Sequence, residues 1–207
     1  MVILFILGLT NRTIMKSRDT YNKWLEAAYI EFAHSGPDFS LKALAEKAQF
    51  PRATFYYHFD DKDYLVSELL KFHQHKCQQC QCDLQKTVKT LIPDLYTVLF
   101  KYKNNVLFHQ QLFLHGDVEP FYKLYRESNE ATIRLLLPFI KAHFKTNKSD
   151  QEIIQFYHIL TDTWYIRLNT HQLTEDSMIN LAIEIMENTL GLCSASLTLE
   201  STLAIKK

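Results

Sequence analysis

Between Ser40 and Leu65 the chain reads SLKALAEKAQFPRATFYYHFDDKDYL, and this stretch constrains the fold more than any other. It divides into two short helical runs with a tight turn between them, followed by a Phe-Asp-Asp-Lys step into a third helix. Ser40 suits the N-cap of the first run, in which Leu41, Leu44, Ala45 and Ala48 form the apolar side. Pro51 suits the opening of the second run, where its missing N–H costs nothing. The carboxylates of Asp60 and Asp61 suit the start of the third. Phe50 and Phe55 are expected to pack inward, while Arg52, Thr54, Tyr56, Tyr57 and His58 crowd one short helix. Five neighbouring polar groups seldom all find buried partners. The crowded face is therefore read as a surface laid against a phosphate backbone.

Two helices crossing at a tight turn, the second free to enter a groove ~12 Å wide, meet the general requirement for reading DNA in the major groove. Arg52 can reach a guanine edge or a phosphate, Thr54 and Tyr56 offer hydroxyls to phosphate oxygens, and Tyr57 offers a ring with a polar tip. Lys62, in the first turn of the following helix, can bring its ammonium and that helix's free N–H groups towards phosphate.

The run AQFPRATFYYHFDDK resembles the TetR-type (TetR/AcrR) family of bacterial regulators, whose usual pattern is Ala-Gly-Val-Ser-x-Gly-Thr-Leu-Tyr-x-His-Phe-x-x-Lys. Ala48, Thr54, Tyr56, His58, Phe59 and Lys62 match outright, and Phe50 and Phe55 match in kind. Ala27, Ala28, Phe32 and Gly36 match the family's first helix, so the resemblance spans about residues 20–70. It implies an all-α chain, with an N-terminal three-helix helix-turn-helix DNA-binding domain and a C-terminal helical domain that binds a ligand and dimerises. The expected DNA-contact set is Ser40, Lys42, Arg52, Ala53, Thr54, Tyr56, Tyr57, His58 and Lys62. Three positions depart from the pattern. Gln49 replaces the turn glycine, so a non-glycine residue is expected in the left-handed conformation at a modest cost. Pro51 replaces serine and removes a side-chain cap, and Ala53 replaces glycine but still permits close backbone approach.

Charge neither helps nor excludes this reading. The chain has 23 Lys and Arg against 23 Asp and Glu, and residues 1–70 hold eight against nine, so DNA contact must come from local placement rather than a basic field. Only 4 Gly and 5 Pro in 207 residues point to long helices, and a 47% hydrophobic content supplies a core. Four cysteines, Cys77, Cys80, Cys82 and Cys193, make no disulfide framework, and a cytoplasmic location is expected. The opening VILFILGL is too short to span a bilayer, which needs roughly 20 residues, so no membrane partner is expected.

Downstream the pattern stays helical. The first helix covers about Thr20 to His34; later ones open at Pro93-Asp94, follow Asn104-Asn105, and run from Val118 to Phe144 with Pro138 as a kink or end. Two more cover Gln151 to about Asn169 and Glu175 to about Leu192. The expected organisation is a disordered tail over 1–18, the helix-turn-helix domain over 19–66, an effector-binding and dimerisation domain over 67–193, and a tail over 194–207. The stripes Ile154, Tyr157, Leu160, Trp164 and Met178, Leu181, Ile185, Met186 suit either packing within one subunit or, as in the family, a dimer bundle.

At ~100° per residue, His73, Cys77 and Cys80 share a helix face with Val66, Leu70, Leu84 and Leu91, and are read as a core stripe. No metal or cofactor is expected. The effector is expected to be small and mostly apolar, bound by His109, Phe113, Tyr122, Tyr125, His158, Trp164 and Arg167, with the histidines and Arg167 able to hold an anionic or phenolic group. No nucleophile triad, Gly-rich phosphate loop or His-Glu-x-x-His occurs, so no enzyme is expected. The functional reading is a ligand-responsive repressor that binds an operator as a homodimer. The alternatives are a metal- or thiol-responsive regulator through the Cys77/Cys80 stripe, and a dimeric interaction protein that has lost DNA binding.

Overall fold

In a computed structural model of the chain, the backbone is described for residues 2–204 and side chains for residues 18–189. Every regular element among the described residues is helical. α1 is Val2–Ser35, α2 Leu41–Ala48, α3 Phe55–His58, α4 Lys62–Thr87 and α5 Asp94–Lys101. α6 is Lys103–Leu114, α7 Glu119–Phe144, α8 Asp150–Arg167 and α9 Glu175–Ala204. No described helix is long and apolar enough to cross a membrane.

Local chemistry sets most of these boundaries. The Ser40 hydroxyl accepts from the N–H groups of Lys42 and Ala43, capping α2. Asp61 accepts from the N–H of Tyr64 at 2.7 Å and opens α4. Ser149 and Glu152 form a reciprocal capping box at α8. Thr174 and Ser177 exchange the same kind of bonds at the start of α9. α1 gives way to Gly36 at φ 69°, a left-handed value that glycine takes without strain. A Cβ there would also lie 2.8 Å from the side chains of Gln111 and His115, so glycine lets the end of α1 sit against α6.

Three sequence expectations shift. α1 and α9 carry helical backbone into both segments read as tails, where no proline intervenes to stop them. The side chains of residues 1–17 and 190–207 lie outside the described residues. The break expected at Asn104-Asn105 falls at Tyr102 instead, and both asparagines lie in the first turn of α6. Pro138 neither ends nor divides α7, which continues to Phe144. Pro138 is exposed, so the Arg134 carbonyl that loses its partner there can turn to water.

α4 joins the two halves of the molecule. Its buried seam is Leu65, Leu69, His73, Cys77, Cys80 and Leu84, spaced by three or four residues as one helix face requires. Val66 and Leu70 flank this seam and are half-buried, and Leu91 is buried beyond the end of the helix. At the midpoint α1, α4 and α6 meet around Phe108, which has no exposed surface. Its ring lies 4.2 Å from that of Phe32, 4.4 Å from His73 and 4.6 Å from Tyr29, measured between centroids.

Candidate nucleic-acid interface and internal cavity

The turn after α2 is made by Gln49 at φ 57°, ψ 36°, the left-handed conformation expected of it. Its N–H bonds back to the last turn of α2, and the Phe50 N–H reaches the Ala45 carbonyl at 3.2 Å. Pro51 then leads into a short 3-10 turn, Arg52–Thr54, that runs straight into α3. Phe55 is buried edge-on against Trp24, and Phe50 is half-buried beside the same indole. These contacts fix which face of α3 points away from the protein.

That outward face carries Arg52, Ala53, Tyr56 and Tyr57, all exposed, with Lys42 exposed nearby on α2. Tyr57 is 76% exposed. The Arg52 guanidinium donates to the Tyr56 hydroxyl at 3.3 Å, tying two of these side chains into one unit. Ser40 keeps its O–H able to donate outward while its oxygen caps α2. Two residues are placed differently from expectation. The Thr54 hydroxyl donates to the Pro51 carbonyl at 2.7 Å and accepts from the Trp24 indole at 3.2 Å, so it braces the turn rather than offering a free group. Lys62 is half-buried with its ammonium 4.6 Å from the centre of the Phe39 ring. His58 is half-buried against the rings of Tyr21 and Tyr57, and burial lowers its pKa, which keeps the imidazole neutral at pH 7.

Helices α4 to α9 line a partly open cavity of about 100 Å³. α4 contributes Cys77, Cys80, Gln81 and Leu84 to its wall; α6 contributes Asn105, Val106 and His109. Tyr96, Tyr157, Trp164 and Tyr165 form an aromatic side, and Ser128, Asn129 and Thr132 of α7 supply polar groups. No Asp, Glu, Lys or Arg lines it. Burial also holds its titratable groups uncharged. The His109 pKa is pushed down to about 3, the thiols of Cys77 and Cys80 are pushed up to about 11 and about 12, and the phenols of Tyr96, Tyr157 and Tyr165 are raised. The cavity is electrically neutral at pH 7.

Comparison with known proteins addresses the first of these two sites directly. Residues 25–69 match the family model described as bacterial regulatory proteins, tetR family. The match covers the helix-turn-helix segment of this chain. Comparison with curated protein sequences finds no match. Among solved structures, a TetR-family regulator from Agrobacterium tumefaciens aligns with a TM-score of 0.61 at 12% identity, over 83% of this chain and 98% of that one. A protein from Saccharomonospora viridis described as a transcriptional regulator, solved in complex with choline, gives 0.61 at 16% identity over 82% and 96%. A TetR/AcrR-family regulator from Aquifex aeolicus VF5 gives 0.50 at 22% identity over 84% and 99%. At such identities the likeness is one of fold, and it covers nearly the full length of each of these structures.

The TetR-like interface was assembled from a contiguous run of sequence, and the cavity was not. Of the residues expected to bind an effector, His109 and Trp164 line the cavity. Tyr125 is buried one layer behind His109, with its hydroxyl donating to Asp162 at 2.5 Å, and Phe113 packs on Tyr125. His158 is buried beside Asn129. Tyr122 is 53% exposed, and Arg167 is exposed and paired with Glu184 at 2.7 Å. The expected anchor for an anion is therefore outside the cavity, because Arg167 sits in the last turn of α8 and faces α9 across solvent. The cysteines read as simple core are cavity wall, as are Gln81, Tyr96 and Asn129. Core and cavity wall share one helical period, so the spacing of the α4 seam could not separate them.

Proposed function

We propose that this TetR-like protein is a ligand-responsive transcriptional repressor that binds an operator as a homodimer and leaves it on taking up a small uncharged effector. The observation that carries the reading is α4. The helix begins at Lys62 beside the outward face of α3 and, five turns on, forms one wall of the cavity through Cys77, Cys80, Gln81 and Leu84. A molecule that fills the cavity acts on the same rigid element that positions the DNA-facing helix. The neutral lining favours an uncharged molecule, and a volume well under the roughly 300–1,000 Å³ of a drug-sized pocket favours one on the order of benzene in size. Arg52 and Tyr57 would read bases, with Lys42, Lys62, Tyr56 and backbone N–H groups holding phosphates.

Dimerisation is supported by the outer face of α8. The stripes Ile154, Tyr157, Leu160, Trp164 and Met178, Ile185, Met186 are buried within the single chain, with Leu181 half-buried. Ile159 and Ile166 point the other way and are 64% and 65% exposed, seven residues apart on one helix face. In a homodimer the reading requires the paired α3 helices to meet successive major grooves ~34–36 Å apart.

The test is binding of the purified protein to DNA from its own upstream region and to random DNA, each over a range of salt. The reading expects a dimer with tighter, salt-dependent binding to the upstream DNA. It further expects neutral aromatic compounds that change Trp164 fluorescence to weaken DNA binding, and DNA to weaken their binding by the same ratio. Equal affinity for both DNAs at every salt concentration sinks the operator claim. A cavity-filling Ala182→Leu variant that still responds to the same compound sinks the cavity as the effector site.

A further inference from the structure

The meeting point of α1, α4 and α6 holds a polar cluster that neither DNA binding nor a neutral effector requires. His73 Nε2 lies 3.0 Å from His109 Nδ1 and 3.4 Å from the Cys77 sulfur. One ligand atom from each of His73, Cys77 and His109 lies within 4.8 Å of those of the other two. His73 is fully buried, His109 is 7% exposed and Cys77 9%. His109 comes from a different helix, 36 residues along the chain from His73.

Hydrogen bonds alone would account for a buried histidine pair, but two features go further. The first is the support behind His73. Its Nδ1 lies 2.8 Å from the Tyr29 hydroxyl, which donates to the Asn105 side-chain oxygen at 3.2 Å. With the phenol proton directed at Asn105, His73 carries its own proton on Nδ1 and donates it to Tyr29. That leaves Nε2 unprotonated, accepting from His109 Nδ1–H and facing the Cys77 sulfur, so that a metal ion would take the place of that proton. An imidazole pinned through one nitrogen with the other unprotonated is the form that ligates metals. The second feature is spacing. Ligands at the usual zinc distances and tetrahedral angles sit roughly 3.3 Å apart for two nitrogens and roughly 3.6 Å for nitrogen and sulfur. The 3.0 Å and 3.4 Å separations here need only a few tenths of an ångström of expansion.

We propose that His73 Nε2, Cys77 Sγ and His109 Nδ1 form a binding site for one thiophilic d10 cation per chain, zinc(II) or copper(I). One thiolate and two imidazoles without a carboxylate select these ions over magnesium, calcium or manganese. Cys77 and His109 also line the cavity, so the fourth position of a tetrahedral ion opens towards that space. On binding, the Cys77 thiol releases one proton to solvent as the metal–sulfur bond forms. The His109 proton moves from Nδ1 to Nε2, and nothing is oxidised or reduced. The ion would clamp α4 to α6 directly and to α1 through Tyr29, at the junction between the DNA-facing and cavity-bearing parts of the chain. The site stands on its own geometry and does not depend on the effector reading.

The experiment uses the full chain carrying Cys82→Ser and Cys193→Ser, which leaves Cys77 and Cys80 as its cysteines. The protein is stripped with a chelator under reducing conditions and titrated separately with zinc(II), with copper(I), and with cobalt(II) as a spectroscopic stand-in. One equivalent of zinc or copper(I) per chain is expected, with about one proton released per ion at neutral pH and a cobalt–thiolate charge-transfer band. Uptake of only one of the two ions supports the site and names its occupant. Cys77→Ser should abolish the band and Cys80→Ser should keep it. Tyr29→Phe, which removes only the positioning hydroxyl, should weaken binding ~10–100-fold. Absence of stoichiometric uptake of both ions by the folded protein overturns the proposal without reference to any ligand variant. A charge-transfer band that survives Cys77→Ser and vanishes in Cys80→Ser overturns the assignment of Cys77.

Discussion

The α3 face and the α4–α9 cavity are built from similar side chains, tyrosines and histidines with a few amides and hydroxyls, yet they are organised in opposite ways. At the DNA-facing end, Arg52, Tyr56 and Tyr57 lie within six consecutive residues and are exposed because Phe55 holds the other side of the same short helix in the core. In the cavity, Tyr96, His109, Asn129, Tyr157 and Trp164 come from four different helices and are gathered only by packing. The first arrangement leaves its polar groups in water. The second buries them, which drives every titratable group there to its neutral form. Binding surface and binding cavity thus differ in electrostatics more than in composition.

The sharpest way to break this comparison is to exchange stability for function at the two kinds of aromatic residue. Phe108→Ala, at the centre of the ring cluster that joins α1, α4 and α6, should cost ~3–5 kcal/mol of folding stability by urea unfolding. Tyr57→Ala should change stability by less than ~0.5 kcal/mol and still impair operator binding. Similar destabilisation by the two changes would mean that α3 is part of the core.

Arg52→Ala comes next, with an expected loss of ~1–3 kcal/mol on the operator and little on random DNA, read by competition binding. An equal loss on both would make Arg52 a backbone contact, and specificity would then rest with Tyr57. Lys62→Ala should weaken binding to all sequences and flatten the salt dependence by about one unit. Because its ammonium rests on the Phe39 ring, the same change should also lower stability slightly, by ~0.5–1 kcal/mol. Unchanged DNA affinity with lowered stability would assign Lys62 to the Phe39 contact alone. The smallest effect is expected at Gln49. Gln49→Gly relieves a left-handed side chain and should stabilise the fold by up to ~1 kcal/mol without altering DNA affinity. A destabilised Gln49→Gly protein would show that the side chain makes contacts that outweigh the backbone cost.

Much of the DNA-facing end was legible in the sequence because the decisive physics there is local. Ser40 as a cap, the left-handed Gln49, the inward Phe55 and the acidic start of α4 are each settled by neighbours a few residues away. The exceptions are informative. Nothing near Thr54 in sequence announces that Trp24, 30 residues earlier, will donate to its hydroxyl, and nothing near Lys62 announces the Phe39 ring beneath it. In the helical region beyond, the periodic pattern gave the helices but not their partners. His109 and Trp164 were placed in the cavity, whereas Phe113, Tyr125 and His158 fell one layer behind it or beside it and Arg167 fell outside.

What the sequence determined by itself is most of the helices and the resemblance of its helix-turn-helix to the tetR family, because caps, turn residues and the 3.6-residue period act over one or two turns of chain. What only the tertiary structure decided is which buried polar groups face one another. His73 and Cys77 are neighbours on α4 by helix geometry, but His109 joins them solely because α6 packs across that helix. Gly36 gives α1 the close approach to α6 that this three-helix junction uses. A helix pattern records which face of an element is buried and leaves open what it is buried against, so the cavity and the cluster at its edge emerge only when separate helices are brought together.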